Sequence, residues 1–202
     1  MEVRYLAHAK QIQALSLIPE FAAEFQEIFG RDSGGLVRAY RCEDAETIVV
    51  ALGSVLGTIQ DVVDEMRERG VKIGVLAIKS FRPFPLVEVR EILQNARRVV
   101  VLEKSLAVGI GGIMSMNVRM ALTQVALKSY TVIAGLGGRP ITKASLHRLF
   151  AEAHAERLEN LTFLDLDRKV VDRELERERQ TRRSGPIAEN ILRDLGIVGA
   201  RI

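Results

Sequence analysis

The chain is poor in the residues that usually carry redox and metal chemistry: its 202 residues include one cysteine, three histidines and no tryptophan. Cys42 alone forms no internal disulfide, and an iron–sulfur cluster takes four thiolates, so an electron carrier of that kind is expected on another chain. His8, His147 and His154 fall into no HExxH or CxxC spacing, which removes the common metal motifs and leaves the three as expected surface residues. No serine, histidine and acid form a recognisable triad motif. No apolar run is long enough to span a bilayer, and Met1-Glu2-Val3-Arg4 does not open a signal peptide; a cytoplasmic protein with no membrane partner is the expectation.

What is present reads as an ordered globular chain, with 48% hydrophobic and 27% charged residues and only five prolines. The net charge of +3 permits nucleic-acid binding, but 26 acids are interleaved with 29 bases, and a binding face is normally more segregated. No nucleic-acid partner is expected. The densest charge run, residues 173–183, places Glu174 three before Arg177 and Glu178 four before Arg182. That is the pattern of a solvated helix with weak ion pairs of about 0.2–0.5 kcal/mol each.

Ile48 to Leu52 is an apolar run without alternation, the mark of a central parallel strand covered on both faces. Gly53 and Gly57 bracket the turn into a helix with Ile59, Val62, Val63 and Met66 at helical spacing, ending at Arg69-Gly70. Strand and helix alternate from there: strand 71–78, a proline turn at 81–85, a helix carrying Leu86, Val89, Leu93 and Ala96, strand 97–103, a helix over 113–125 and strand 130–134. Thr142 caps a helix with Leu146, Leu149, Phe150 and Ala153 inward, and 161–166 is a fifth strand or an edge segment.

The N-terminal segment reads as a helix ending at Gly30, broken or restarted at Pro19, with 32–35 as a linker. Ser184-Gly185-Pro186 leads to a last helix bearing Ile187, Ile191, Leu192 and Leu195. The predicted fold is therefore α/β: a three-layer, open, mainly parallel sheet of about five strands with right-handed crossovers, and extra N- and C-terminal helices. The expected divisions are 1–39 (helix and linker), 40–160 (α/β domain) and 161–202 (edge segment and helical extension). The 113–125 helix leaves so little polar face that either the terminal helices or a partner chain must cover it.

Three glycine-rich turns follow strands, at 53–58, 109–112 and 135–138. Ligands of open α/β sheets settle at such carboxyl ends, where helix N-termini offer free N–H groups to anions. Gly53, Ser54, Gly57, Thr58 and Arg139 are the candidate anion-site residues, although none of the turns is a GxGxxG or GxxxxGK[ST] match. Tight turns that let helix and sheet pack closely are the leading reading of these glycines. Arg82, between Phe81 and Pro83-Phe84-Pro85, is either an exposed docking guanidinium or part of a helix start. Cys42 has no basic neighbour beyond Arg41 and reads as an inert thiol.

Taken in order, Gly30-Arg31, Gly34-Gly35, the string Tyr40-Arg41-Cys42-Glu43-Asp44-Ala45-Glu46, the turn 53–58, the 81–85 turn and Gly135-Leu136-Gly137-Gly138-Arg139 resemble one family across nearly the whole chain. That family is the α subunit of 2-oxoacid:ferredoxin oxidoreductases, above all pyruvate:ferredoxin oxidoreductase. The resemblance implies a fold like the transketolase C-terminal domain. It also implies a non-catalytic part of an enzyme that decarboxylates a 2-oxoacid to acyl-coenzyme A and passes electrons to ferredoxin. Thiamine diphosphate, Mg, iron–sulfur clusters and coenzyme A would lie on partner chains, since the family's thiamine-binding domain and a Gly-Asp-Gly motif have no counterpart here. The other subunits, and a homodimer, are the implied partners. The competing readings are a stand-alone α/β module for coenzyme A or another phosphorylated ligand, and the C-terminal part of a 2-oxoacid dehydrogenase β subunit.

Overall fold

The computed structural model describes residues 1–181, together with 191, 195 and 196. The chain divides into two compact units, Met1–Leu164 and Asp165–Ile202. The first unit begins with α1 (Glu2–Phe29) and contains β1 (Val37–Tyr40), β2 (Thr47–Ala51), α2 (Val55–Glu68), β3 (Ile73–Ile78), α3 (Leu86–Leu93), β4 (Arg98–Glu103), α4 (Ile113–Ala121), β5 (Lys128–Ile133), α5 (Lys143–His154) and β6 (Leu161–Phe163). The six strands form one sheet in the order β1-β3-β2-β4-β5-β6, parallel except for β1, which runs antiparallel to β3. The expected α/β architecture is present with one strand more than the sequence reading found.

Every residue of β2, β3 and β4 is buried, which is why their sequences lack the polar alternation of one-sided strands. Alternate side chains feed two cores. Val49, Ala51, Val75, Val100, Leu102 and Val132 meet α2 and α5 on one face, and Ile48, Val50, Leu76, Ile78, Val99 and Val101 meet α3 and α4 on the other. Each fully buried Val, Ile or Leu is worth roughly 1.5–3 kcal/mol of transfer free energy.

This helix assignment bears on the crossovers. The path β2–α2–β3 moves one way along the sheet on one face, and β4–α4–β5 moves the opposite way on the other face, so both have the same hand. The path β5–α5–β6 moves with β4–α4–β5 but on the α2 face, and so has the opposite hand, against the uniform right-handedness expected from the rhythm of strands and helices. Packing decides it: Leu146, Leu149, Phe150 and Ala153 enter the core beside Ile59, Val62 and Val63 of α2.

β1 lies partly in the segment read as helix and linker. Its four residues alternate only weakly, and its pairing to β3 (Val37 opposite Ile78, Tyr40 opposite Val75) gives it order that its own sequence does not announce. The following loop is tied down by polar contacts. Tyr40 donates its hydroxyl to Asp64 Oδ2 at 2.9 Å, and Arg67 donates to the carbonyls of Ile73 (2.6 Å) and Arg41 (2.8 Å) and to Asp44 Oδ1 (2.7 Å). Gly74 is required there because a Cβ would lie 2.8 Å from the Arg41 carbonyl carbon.

Two helices differ from expectation. α1 runs unbroken through Pro19 to the left-handed Gly30 (φ 64°), and none of its residues is buried. α4 ends at Ala121 rather than near Val125, and Met116 and Met120 are exposed, so it is buried on one side instead of nearly all round. In the second unit α6 (Arg168–Thr181) contains residues 173–181 of the predicted charge run, with Arg177 donating to Glu174 at 2.9 Å, and the last two residues of the run lie outside the described residues. The helix expected to carry Ile187 and Leu192 lies outside the described residues.

Candidate functional site

Strand order reverses between β3-β2 and β4-β5, which opens a crevice beyond the carboxyl ends of β2 and β4, the usual ligand position in open α/β sheets. Two pockets flank this crest and share Leu52, Leu102, Glu103 and Lys104. The first, of about 350 Å³, is on the α2/α5 side and includes Ser54, Val55 and Thr58 from the start of α2 and Gly135, Gly138 and Arg139 from the loop before α5. The second, of about 330 Å³, is more apolar, with Phe81, Ser105 and Met114.

Of the five candidate anion-site residues, Ser54, Thr58 and Arg139 are brought together in the first pocket, whereas Gly53 and Gly57 do not line it. Gly53 instead makes the turn, with φ 88°. The first turn of α2 has no acidic residue and its N-cap, Ser54, makes no side-chain cap bond. Ser54, Thr58, Lys104 and Arg139 thus line one concavity at the start of α2, together with the acid Glu103. Lys104 was not legible beforehand because its position, one residue past the end of β4, depends on parallel register with β2.

The 109–112 turn has a different occupant. Glu103, 5% exposed at the end of β4, accepts from the amides of Met114 (2.7 Å) and Ser115 (2.9 Å), from Ser105 Oγ (2.8 Å) and from the Ser115 hydroxyl. The N-terminus of α4 is thus filled by the chain's own carboxylate, and the anion role weighed for that turn is superseded. Between them, Ala107 and Gly111 exchange backbone bonds of 2.7 and 2.8 Å, projecting Val108 and Ile110 into solvent. The third turn, at 135–138, uses left-handed glycines at 135, 137 and 138, and Thr142 then caps α5 by accepting the Ser145 amide at 3.1 Å.

The other singled-out residues fall outside the pockets. Arg82 is exposed, its guanidinium 4.3 Å over the Phe81 ring, while Phe84 is buried and packs edge-on against Phe81 at 6.2 Å. Cys42 is half-buried and burial pushes its thiol up to about 11, the inert state expected. His8 and His154 are exposed, but His147 is half-buried with Nε2 2.5 Å from Glu65. Among the described residues no group of three or more His, Cys, Asp or Glu is placed to hold a metal ion, and no helix is long and apolar enough to cross a membrane.

Residues 45–146, the sheet from the loop before β2 into α5, match the family model of pyruvate:ferredoxin oxidoreductase core domain II. The chain belongs to that family. Among curated relatives, the pyruvate synthase subunit PorA of Methanosarcina barkeri is 38% identical over 179 residues, covering 84% of this chain and 44% of that protein. Those of Methanothermobacter thermautotrophicus and Thermotoga maritima are 40% and 41% identical, each covering 74% of this chain and 38% and 40% of the relative. This core domain II chain thus spans less than half the length of these relatives. A solved 2-oxoglutarate:ferredoxin oxidoreductase from Magnetococcus marinus, with 2-oxoglutarate, coenzyme A and succinyl-CoA bound, aligns at a TM-score of 0.44 and 16% identity over 64% of this chain and 21% of that one.

Proposed function

We propose that this chain is a non-catalytic, assembly-supporting part of a thiamine-dependent 2-oxoacid:ferredoxin oxidoreductase, with pyruvate as the oxoacid. The complex decarboxylates the oxoacid oxidatively to acyl-coenzyme A and passes the electrons to ferredoxin, in the cytoplasm. The observation that carries this reading is the core domain II match over residues 45–146, joined to 38–41% identity with pyruvate synthase subunits. Oxidoreductase-subunit relatives favour it over a free-standing binding module. In this reading thiamine diphosphate, Mg, iron–sulfur clusters and coenzyme A reside on companion chains. A single cysteine supports that division, because one thiolate does not ligate a cluster.

Purification with and without the companion subunits tests it. Pyruvate-dependent ferredoxin reduction is expected only in the assembled complex; turnover, or a tightly held thiamine, in the isolated chain overturns the reading. So does a soluble chain that never associates with those subunits.

Within this role the first pocket is assigned to an anion, held by Ser54, Thr58 and Arg139 with Lys104 opposite. Its support is their convergence on one cavity of about 350 Å³. Titration of inorganic phosphate and of coenzyme A into the wild type and into Ser54→Ala and Thr58→Ala is the check. Equal binding by all three removes the assignment.

A further inference from the structure

The two ends of the sheet differ in charge. The loops 52–54, 79–85, 104–112 and 134–142 follow the parallel strands β2, β3, β4 and β5 and so share one end. They carry Lys79, Arg82, Lys104 and Arg139, all exposed, and no acid. The loops that enter β2 to β6 at the opposite end, 41–46, 69–72, 94–97, 122–127 and 155–160, carry five bases and five acids. With 29 bases and 26 acids in the chain, mixture is the default, and the first end departs from it. Glu103, beside these loops, is engaged by the amides of Met114 and Ser115, and Asp32, before β1, lies 3.8 Å from Arg38. At the opposite end Arg97 and Lys128 are both ion-paired with Glu156.

Exposed apolar side chains follow the same division. Leu52, Val108, Ile110 and Leu136 stand exposed in the basic set of loops, Val108 at 90% and Ile110 at 73%, whereas no large apolar residue of the opposite set is exposed. The two pockets of about 350 and 330 Å³ open between the basic loops. Apolar projections and hollows ringed by charge of one sign suit a protein partner that is itself acidic. A second copy set face to face would bring the four cations against the same four. An anionic bilayer attracts cations but has no side chains to fill the hollows. A nucleic acid offers Val108 and Ile110 phosphates rather than apolar contact. The relatives are more than twice as long as the stretch each shares with this chain, which leaves a large remainder of such an enzyme to supply the partner.

We infer that these carboxyl-end loops are the docking surface of the chain within the oxidoreductase. An acidic, partly apolar protein surface of a companion chain seats on Val108 and Ile110 and places carboxylates against Lys79, Arg82, Lys104 and Arg139. This surface rests on the assembly role assigned above.

Interferometry of the full chain against the companion subunits tests it. Binding is expected to weaken about tenfold or more in Val108→Asp with Ile110→Asp, the loss typical of apolar anchors removed from an interface. Lys79→Glu with Arg82→Glu lies outside the first pocket, leaves its anion site alone and should weaken binding as well. Arg69→Glu with Lys72→Glu makes the same charge change at the opposite end and should leave affinity nearly unchanged, since salt screens charges that far from the contact. All six side chains are exposed, so the variants keep the fold, which circular dichroism verifies. Carbodiimide coupling of the complex should join Lys79 and Lys104 to aspartates or glutamates of a companion chain. The docking surface is overturned, with the assembly role intact, if the wild type binds and the loop variants bind equally, if the two ends respond alike, or if coupling falls on Lys72 and Lys128 instead. It is overturned too if the loop variants lose only binding to phosphatidylglycerol vesicles. A wild type that binds no companion subunit removes both the surface and the assembly role.

Discussion

Glu103 accepts the backbone amide of Ser115 at 2.9 Å, so the end of β4 caps a helix that begins ten residues later. The neighbouring Gly112 is part of the same device. A Cβ on it would overlap Glu103 Oε1 and Ser115 Oγ and lie 2.6 Å from Glu103 Cδ. Glu103→Gln, which turns an amide toward donors, is expected to cost about 1–3 kcal/mol, seen as a lower urea midpoint at unchanged m value. Gly112→Ala should destabilise as well, and by less in a Glu103→Ala background, because the group it strikes is gone.

Arg67 is expected to matter more than any residue of the Tyr40–Glu46 string that it supports. Its guanidinium serves two carbonyls and Asp44, whose carboxyl it holds below the ordinary value. Arg67→Ala leaves those acceptors without it and should cost about 1–3 kcal/mol, with faster amide exchange over residues 41–46. Arg67→Lys should recover little, since an ammonium cannot reproduce the planar fork.

Acid should loosen the fold through two surface carboxylates. Hydrogen bonding to Lys143 and then His147 lowers Glu65 to about 2, and bonding to Lys128 and Arg97, against a raising effect of desolvation, lowers Glu156 to about 2. Both folded values lie below the ordinary 4.5, so their stabilisation is complete above that pH and fades as pH falls from there toward 2. Thermal midpoints between pH 6 and 3 check this, and Lys143→Met should flatten the decline.

The Cys42 thiol should label slowly in the native protein. Raised to about 11 from 9.0 by burial, it has a thiolate fraction at pH 8 on the order of a hundredfold below that of a thiol at its ordinary value. Reaction with a chromogenic disulfide at pH 8, native against urea-unfolded, measures the ratio; comparable rates would contradict the burial.

The parallel strands, the helices between them and the Thr142 cap were legible because each announces itself locally, by apolar runs, helical spacing or a capping residue. β1 was not, since Val37-Arg38-Ala39-Tyr40 becomes a strand only through its pairing with β3. Glu103 was missed for the same reason: a lone acid at a strand end gives no sign that a glycine turn will bring a helix N-terminus onto it. In the candidate pocket Ser54, Thr58 and Arg139 followed from the rule that ligands sit at strand ends, and Lys104 joined them only once the register was known.

The two outermost strands are the shortest but for none: β1 has four residues and β6 three, flanking interior strands of five or six. So brief a margin gives a foreign strand little backbone to zip onto, a common safeguard against runaway stacking. Edge-to-edge growth of the sheet is therefore disfavoured at both margins.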